Sequence, residues 1–426
     1  MKTVGIIAEF NPFHNGHKYL IEQAKAKTGA DCCVVIMSGD FVQRGAPAIC
    51  NKYLRTEMAL KSGADIVFEL PTVYALGSAE LFAEGAVTLL TFTGQIDYLC
   101  FGSESGDTDA LIKCASIIED YTSTPAFKDE LSSYIKNGVS YPSAFSKALG
   151  DTLGNLQSLL YSPNNLLGIE YLKALSRLKS LKLYPNTLEN DRKSVDNSEI
   201  NLHYPTPLAI HRNGSEHFDT EITEYSSATA IRDYIINNDD LQELSGTLPS
   251  EAYKILSDNK NRLLPVTEDD FSNMLYMRLN TMSDDELFAI PDINPDLIHK
   301  LTDFRGKYIC ISDLIMSLKS KCFTYTAISR AIFRILLCPL YLDAIKQTDN
   351  EKPYLRLLGF NKNCSEFLRN LRNSELINIV TKPADGPLSD PSYKLDIYAA
   401  NLYEQVCSNK FNSKFSKELK SGPIMF

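Results

Sequence analysis

Residues 9–17 read EFNPFHNGH, and two of the chain's six histidines, His14 and His17, fall in this stretch with a glycine before the second. They lie where an apolar run, TVGIIA, gives way to YLIEQAKAK, which reads as a helix. The start of a helix offers free backbone N–H groups and a partial positive charge, which suit a phosphate. Two imidazoles there add donors from the same side, and Gly16 lets a nucleotide lie against the backbone. Composition alone would produce H-x-G-H about 0.004 times in a chain of this length. The bland alternative is two exposed polar histidines at a helix start.

A second helix start, SSATAIR (226–232), pairs with the first. Ser227 and Thr229 supply hydroxyls, and Arg232, one turn in, can neutralise a phosphate. Alone this is a weak pattern, because Ser and Thr cap many helices. Further candidates follow a second apolar run. Asp40, Gln43, Arg44 and Lys52 could bind an acyl group or RNA, or form a solvated loop and helix cap. In NNLLGIE, one of Asn164 and Asn165 can cap a helix and leave the other to reach a base. Later in the chain, Arg330 and Arg334 are spaced i, i+4 and Arg369 and Arg372 i, i+3, so each pair shares a helix face. Such faces are commonly just solvated, but several together suit a phosphate backbone.

These residues need elements to hold them. Residues 3–101 alternate strand-like and helix-like stretches: TVGIIA, CCVVIM, DIVFEL and DYLCFG are separated by three helical patterns. Apolar strands without clean alternation, interleaved with helices, indicate a parallel sheet covered on both faces. The expected class is α/β, a Rossmann-like doubly wound sheet, whose ligands bind at the carboxyl edge of the strands. SLKLYP (180–185) and PLAIHR (207–212) are expected as further strands. From about residue 240 helical segments dominate. This gives an expected division into residues 1–240, an α/β part carrying both helix-start motifs, and residues 241–426, a helical part.

Bulk composition agrees with a globular chain. Of 426 residues, 44% are hydrophobic and 23% charged, and there is no apolar run of about 18 residues that would cross a membrane. The N-terminus lacks a long apolar leader, and the ten cysteines include no CxxC pair, so neither a zinc site nor secretion is expected and a cytoplasmic protein is. The net charge of −10 is uneven. Residues 301–426 carry 18 Lys and Arg against 12 Asp and Glu, a net of +6, leaving −16 for residues 1–300. That asymmetry admits a polyanionic partner for the C-terminal part.

GIIAEFNPFHNGH together with SSATAIR resembles the HxGH nucleotidyltransferase superfamily. MSGDFVQRGAPAICNKYLRTEMALKSGADIVFELP (37–71), FGSESGD (101–107) and SPNNLLGIEYLKAL (162–175) narrow the resemblance to the bacterial tRNA(Met) cytidine acetate ligase family. It covers residues 1–235 strongly and, through PYLRLLGFNK (353–362), extends weakly beyond. The resemblance implies a two-step reaction: acetate and ATP give acetyl-adenylate and pyrophosphate, and the acetyl group then passes to N4 of the wobble cytidine of elongator tRNA(Met). It implies an ATP-binding loop from Ile6, Ile7 and Ala8, through Glu9, Phe10, Asn11, Pro12 and Phe13, to Asn15, Gly16, Lys18, Tyr19 and Leu20. It also implies nucleotide contacts from Gly102, Asn165 and Arg212. By the same resemblance, residues 1–240 are the ATP-binding catalytic part and residues 241–426 the RNA-binding part. Where the family often has Tyr-His-Asp, this chain has His217-Phe218-Asp219. Mg²⁺ is expected as the ATP counter-ion, held by phosphates and water rather than by a protein cage. No stable protein partner is expected. Two other readings remain open at this point: a small-molecule adenylyltransferase acting on nicotinate mononucleotide or phosphopantetheine, and a non-catalytic RNA-binding protein.

Overall fold

The computed structural model describes residues 1–139, 141–180, 202–212, 223–346 and 352–426. An eight-stranded sheet forms the centre, in the order β10-β8-β5-β2-β1-β6-β7, with β9 also paired to β8. The strands are β1 (Thr3–Ala8), β2 (Cys32–Ser38), β5 (Ile66–Leu70), β6 (Tyr98–Ser103), β7 (Thr206–His211), β8 (Tyr354–Phe360), β9 (Asn378–Val380) and β10 (Ile424–Met425). Strands β5, β2, β1, β6 and β7 run parallel, and the order turns back between β1 and β6. The carboxyl edge at such a reversal is where doubly wound sheets hold ligands.

Both faces of β2 are buried, which accounts for its unbroken apolar run. Cys32, Val34 and Ile36 face a layer that includes the helices Ala79–Phe92, Thr108–Thr122 and Pro163–Ser180. Cys33, Val35 and Met37 face the opposite layer, which includes α1 (Asn15–Thr28), α2 (Lys52–Lys61) and the helices Ala228–Asn237 and Ser250–Asn259. A third core lies among the helices between Ser272 and Lys346 and the helix Pro391–Phe411.

Residues 241–426 do not all stand apart from the sheet. Strands β8, β9 and β10 extend it, with β8 antiparallel to β5. Conversely, a two-stranded hairpin from the first part, β3 (Phe41–Val42) with β4 (Ala46–Pro47), pushes Phe41 into the helical core. There the Phe41 ring lies 5.7 Å from Phe271 and 5.6 Å from Phe333. The alternating pattern near residue 100 therefore extends to a late strand that a reading in chain order does not anticipate. PLAIHR is strand β7, whereas SLKLYP, apart from Ser180 at the end of a helix, lies outside the described residues, as does His217-Phe218-Asp219. Among the described residues, no helix is long and apolar enough to cross a membrane.

Candidate active site

The segments singled out in the sequence converge at the carboxyl edge. Residues 9–17 follow β1, residues 39–52 follow β2, residues 104–106 follow β6, and Arg212 follows β7. His14 is the N-cap of α1, and its Nδ1 accepts from the backbone N–H of Gly16 at 3.1 Å. His17 returns the contact: its Nδ1 accepts from the backbone N–H of His14 at 3.3 Å. An Nδ1 that accepts leaves the ring proton on Nε2. Both histidines are thus set as Nε2–H donors, with ring centroids 3.8 Å apart. A Cβ on Gly16 would come within 2.9 Å of His14 Cε1, so the glycine also makes room for the ring. Phe10 and Phe13 wall the pair, the Phe10 ring lying 4.9 Å from His17.

These histidines are neutral at neutral pH. Burial, then the charges of Arg212 and Arg232, lowers the pKa of His14 to about 3. Burial, His14 and Arg212 lower that of His17 well below the usual range. Before a ligand arrives, they are neutral donors beside guanidinium groups.

The SSATAIR segment supplies one of these. Ser227 caps its helix by accepting from the N–H of Ala230, and Arg232 donates to the carbonyl of Asn11 at 2.8 Å and to Thr229 Oγ1 at 3.1 Å. Arg44 reaches the same hydroxyl, donating to Thr229 Oγ1 at 3.1 Å. On the other side, Arg212 donates to Asn164 Oδ1 at 2.8 Å. Asn165 Oδ1 accepts from Ser103 Oγ and from the N–H groups of Glu104 and Ser105. Glu104 completes this clasp, accepting from Asn164 Nδ2 at 2.6 Å and from the N–H of Asn165 at 3.0 Å. Gly102 lies beneath Arg212, whose Cγ would be 3.2 Å from an added Cβ. Burial lowers the pKa of Arg212, and burial followed by the Arg44 charge lowers that of Arg232 to about 10. Among the described residues, neither has a carboxylate at ion-pair distance.

Other expected residues take different roles. Asn15 donates to the carbonyls of Glu224 and Gly246 and ties α1 to the SSATAIR loop. Ile6, Phe10 and Phe13 are core side chains, the two phenylalanines backing the histidines, while Lys18 points outward beside Glu22. Tyr19 packs edge-on toward Tyr225. Glu9 accepts from the N–H of Gln43, joining the first loop to the hairpin.

Three expectations are corrected, those for Lys52, Asp40 and Arg334. Lys52 and Asp40 are buried and do not form a substrate-binding loop. Lys52 Nζ lies 2.7 Å from both Glu69 Oε1 and Glu418 Oε1, and Asp40 receives the Lys52 N–H. Arg334 does not share an exposed face with Arg330. It is 2% exposed and donates to the carbonyls of Leu76 and Pro291. Arg369 and Arg372 are exposed as expected, on a segment that packs beside Gln95, before the start of β6, at the amino edge of the sheet. Only Arg330, half-buried, keeps a position near the hairpin.

The sequence reading missed Glu104, although an acid in a glycine-containing loop after a strand is a visible signal. It also missed Thr247, whose carbonyl receives the Asn15 N–H. Among the described residues, the group with metal-ligating spacing is Cys32, Asp65 and Cys364, buried away from this edge. Its carboxylate is already paired with Lys25 at 2.5 Å and with the N–H of Cys33.

Comparison with known proteins agrees with this geometry. A family model described as HIGH Nucleotidyl Transferase matches residues 1–206 and 193–418. A curated tRNA(Met) cytidine acetate ligase of Clostridium novyi is 36% identical over 428 residues, covering 100% of this chain and 99% of that protein. One from Acetivibrio thermocellus is 34% identical and covers 100% of both. Two crystal structures of Thermotoga maritima TmcAL, apo and bound with alpha-thio ATP, superpose with TM-scores of 0.84 and 0.83 at 27% identity, each covering 100% of both chains. The chain belongs to the HIGH nucleotidyltransferases and, among them, to the tRNA(Met) cytidine acetate ligase family.

Proposed function

We propose that this chain activates acetate with ATP and transfers the acetyl group to N4 of the wobble cytidine of elongator tRNA(Met). The observation that carries the reading is a set of neutral Nε2–H histidines flanked by Arg212 and Arg232, which have no carboxylate partners among the described residues, at the carboxyl edge of the sheet. Adenylation asks little covalent chemistry of a protein. It needs the nucleophile held in line and the charge on the phosphates stabilised. An acetate oxygen attacks the α-phosphorus, the bond to the β-phosphate oxygen breaks, and pyrophosphate leaves with the electron pair. The cytidine amine then attacks the acyl carbon, loses a proton, and AMP departs.

His14, His17, Ser227, Thr229 and Arg232 supply donors to the phosphates, and Gly102, Asn165 and Arg212 supply the nucleotide's other contacts. Mg²⁺ would arrive with ATP. The edge has Glu9 and Glu104 but no three-ligand cluster among the described residues, so the ion would be held by phosphates and water. Residues 1–240 carry this chemistry and residues 241–426 the tRNA contact, with Arg330 the best placed of the expected basic residues. The compartment that supplies all three substrates is the cytoplasm.

The test is pyrophosphate release from ATP with acetate, followed by mass analysis of tRNA nucleosides. Acetate-dependent release with N4-acetylcytidine in tRNA supports the reading. Release with nicotinate mononucleotide or phosphopantetheine instead, and unmodified tRNA, replaces it with a small-molecule adenylyltransferase.

A further inference from the structure

Arg44 enters the site on a support built from the helical layer. The β3–β4 hairpin that carries it is pinned at three points. Phe41 is buried among Phe271, Phe333 and Tyr403. The N–H of Gln43 donates to Glu9 at 2.8 Å. At the turn, Ser329 Oγ donates to the carbonyl of Gly45. Gly45 has φ +76, and a Cβ there would overlap the backbone of Arg330, so only glycine lets the hairpin seat this closely on the helix Tyr325–Leu337. The result is an arginine delivered to the Thr229 hydroxyl opposite Arg232, with 3.1 Å from each guanidinium.

That geometry has a chemical consequence. A hydroxyl oxygen has two acceptor positions and one proton. Both guanidinium groups donate to Thr229, so its own proton is left to donate outward. Two like charges are thereby held on one oxygen, and the Arg44 charge adds to burial in depressing Arg232. An anion with several negative oxygens relieves both effects at once, and guanidinium forks match phosphate geometry.

We propose that Arg44 and Arg232 form a paired-arginine seat for the pyrophosphate half of ATP, with Arg44 set in place by the contact of Ser329 with Gly45. The assignment rests on the adenylation reading. The pair stabilises charge on the β- and γ-phosphates as the bond between the α-phosphorus and its bridging oxygen breaks, and pyrophosphate carries the electron pair away. No proton moves through either arginine. Because Arg330 lies on the same turn of helix that Gly45 touches, the helical layer bears on both the RNA-facing surface and the seat.

The experiment is calorimetric titration of two probes, inorganic tripolyphosphate and AMP, into the full chain. Arg44→Ala is expected to weaken tripolyphosphate binding by about ten- to a hundredfold, the scale of hydrogen bonds to a charged group, and to leave AMP binding unchanged. Arg44→Lys should recover part of the loss. Ser329→Ala should weaken tripolyphosphate by a smaller factor with AMP again unchanged. Thermal melting of each variant establishes that it is folded. Wild-type tripolyphosphate affinity in Arg44→Ala overturns the seat, as does equal loss of both probes. Unchanged tripolyphosphate binding in Ser329→Ala overturns the support from the helical layer. Acetate-dependent pyrophosphate exchange by the wild type separates the two levels. If exchange is absent while Arg44→Ala still loses tripolyphosphate, the adenylation reading falls and the seat stands.

Discussion

Two groups of cations, one buried and one at the rim of the site, lie within this one protein, and they are held in opposite ways. Beneath the carboxyl edge, Lys52 and Arg356 sit among Glu69, Glu418 and Asp40. Lys52 is 2.7 Å from Glu69 and Glu418, Arg356 is 3.1 Å from Glu69 and also contacts Glu418, and Tyr53 donates to Glu418 at 3.0 Å. Burial opposes the charge on each cation, but the carboxylates outweigh it and both pKa values are raised. Burial also opposes the charge on Glu418, yet Lys52 and Arg356 lower its pKa to about 2. At the edge itself, among the described residues, Arg212 and Arg232 donate to neutral oxygens, and desolvation lowers their pKa values. The first group is charge-paired within the fold and locks β8 and Glu418 to α2. The second stands partly exposed at the site, with no carboxylate at ion-pair distance among the described residues, so an arriving phosphate would meet preplaced positive charge.

Substitutions should separate the two groups. The largest effect is expected for Arg232→Met, which should reduce acetate-dependent pyrophosphate exchange by about 10²–10³-fold, the scale for losing one preorganised donor, without lowering the melting temperature. Arg356→Met should do the reverse. It leaves Glu69 and Glu418 buried with too little positive charge, and breaking a buried pair costs about 3–5 kcal/mol, read by denaturant unfolding. If Arg232→Met destabilised the protein by that much, the distinction between the groups would fail.

Acid sharpens the comparison, because the two regions respond in separate windows. His14 and His17 have pKa values below their unfolded value, so the folded chain binds fewer protons there. Their contribution is fully present above the unfolded value near 6.5 and is lost as pH falls, for His14 toward about 3. The slope is up to about 1.4 kcal/mol per pH unit for each histidine. Glu418 keeps its contribution above the usual carboxyl range and loses it as pH falls toward about 2. Asp40, raised to about 6 by burial, acts with the opposite sign and loses stability as pH rises, so differences between variants are the quantity to measure. A His14→Gln, His17→Asn double variant should have a flatter stability curve than wild type from pH 6.5 down to the Glu418 window at 4.5. Glu418→Gln should flatten it only below that range. Unfolding free energy against pH checks both.

The smallest effect is expected in the helical layer. Arg330 is half-buried, and burial and Arg334 depress its pKa to about 10, so it resembles the edge arginines. Arg330→Ala should lower tRNA affinity a few-fold and reduce the salt dependence by about one unit of slope. Arg334→Ala should instead lower the melting temperature, because its guanidinium bridges the carbonyls of Leu76 and Pro291. Filter binding across a salt series distinguishes them.

What the sequence revealed follows from how local each feature is. His14, Gly16 and His17 lie within one helix start, and Ser227 and Arg232 within another, so spacing alone exposes them. β2 shows as an apolar run because both of its faces are covered. Lys52, Asp40 and Arg334 look like surface residues in sequence because their partners Glu69, Glu418, Leu76 and Pro291 are brought in by tertiary folding. For the same reason β8 is hard to see as part of the sheet: it joins antiparallel to β5 after nearly three hundred intervening residues, with no crossover pattern to announce it. Arg44 could be picked out in sequence only as a candidate for an acyl group or RNA, since the contact of its hairpin with Ser329 comes from far along the chain.

The most direct measurement supplies the enzyme with either ATP plus acetate or preformed acetyl-adenylate, together with tRNA, and quantifies N4-acetylcytidine for wild type and Arg232→Met. The wild type should acetylate tRNA from both sources, and Arg232→Met should fail with ATP plus acetate yet keep near wild-type transfer from acetyl-adenylate, which has no pyrophosphate to stabilise. Absence of N4-acetylcytidine from either source in the wild type would contradict the function, and equal loss from both sources in Arg232→Met would contradict the role assigned to the edge arginines.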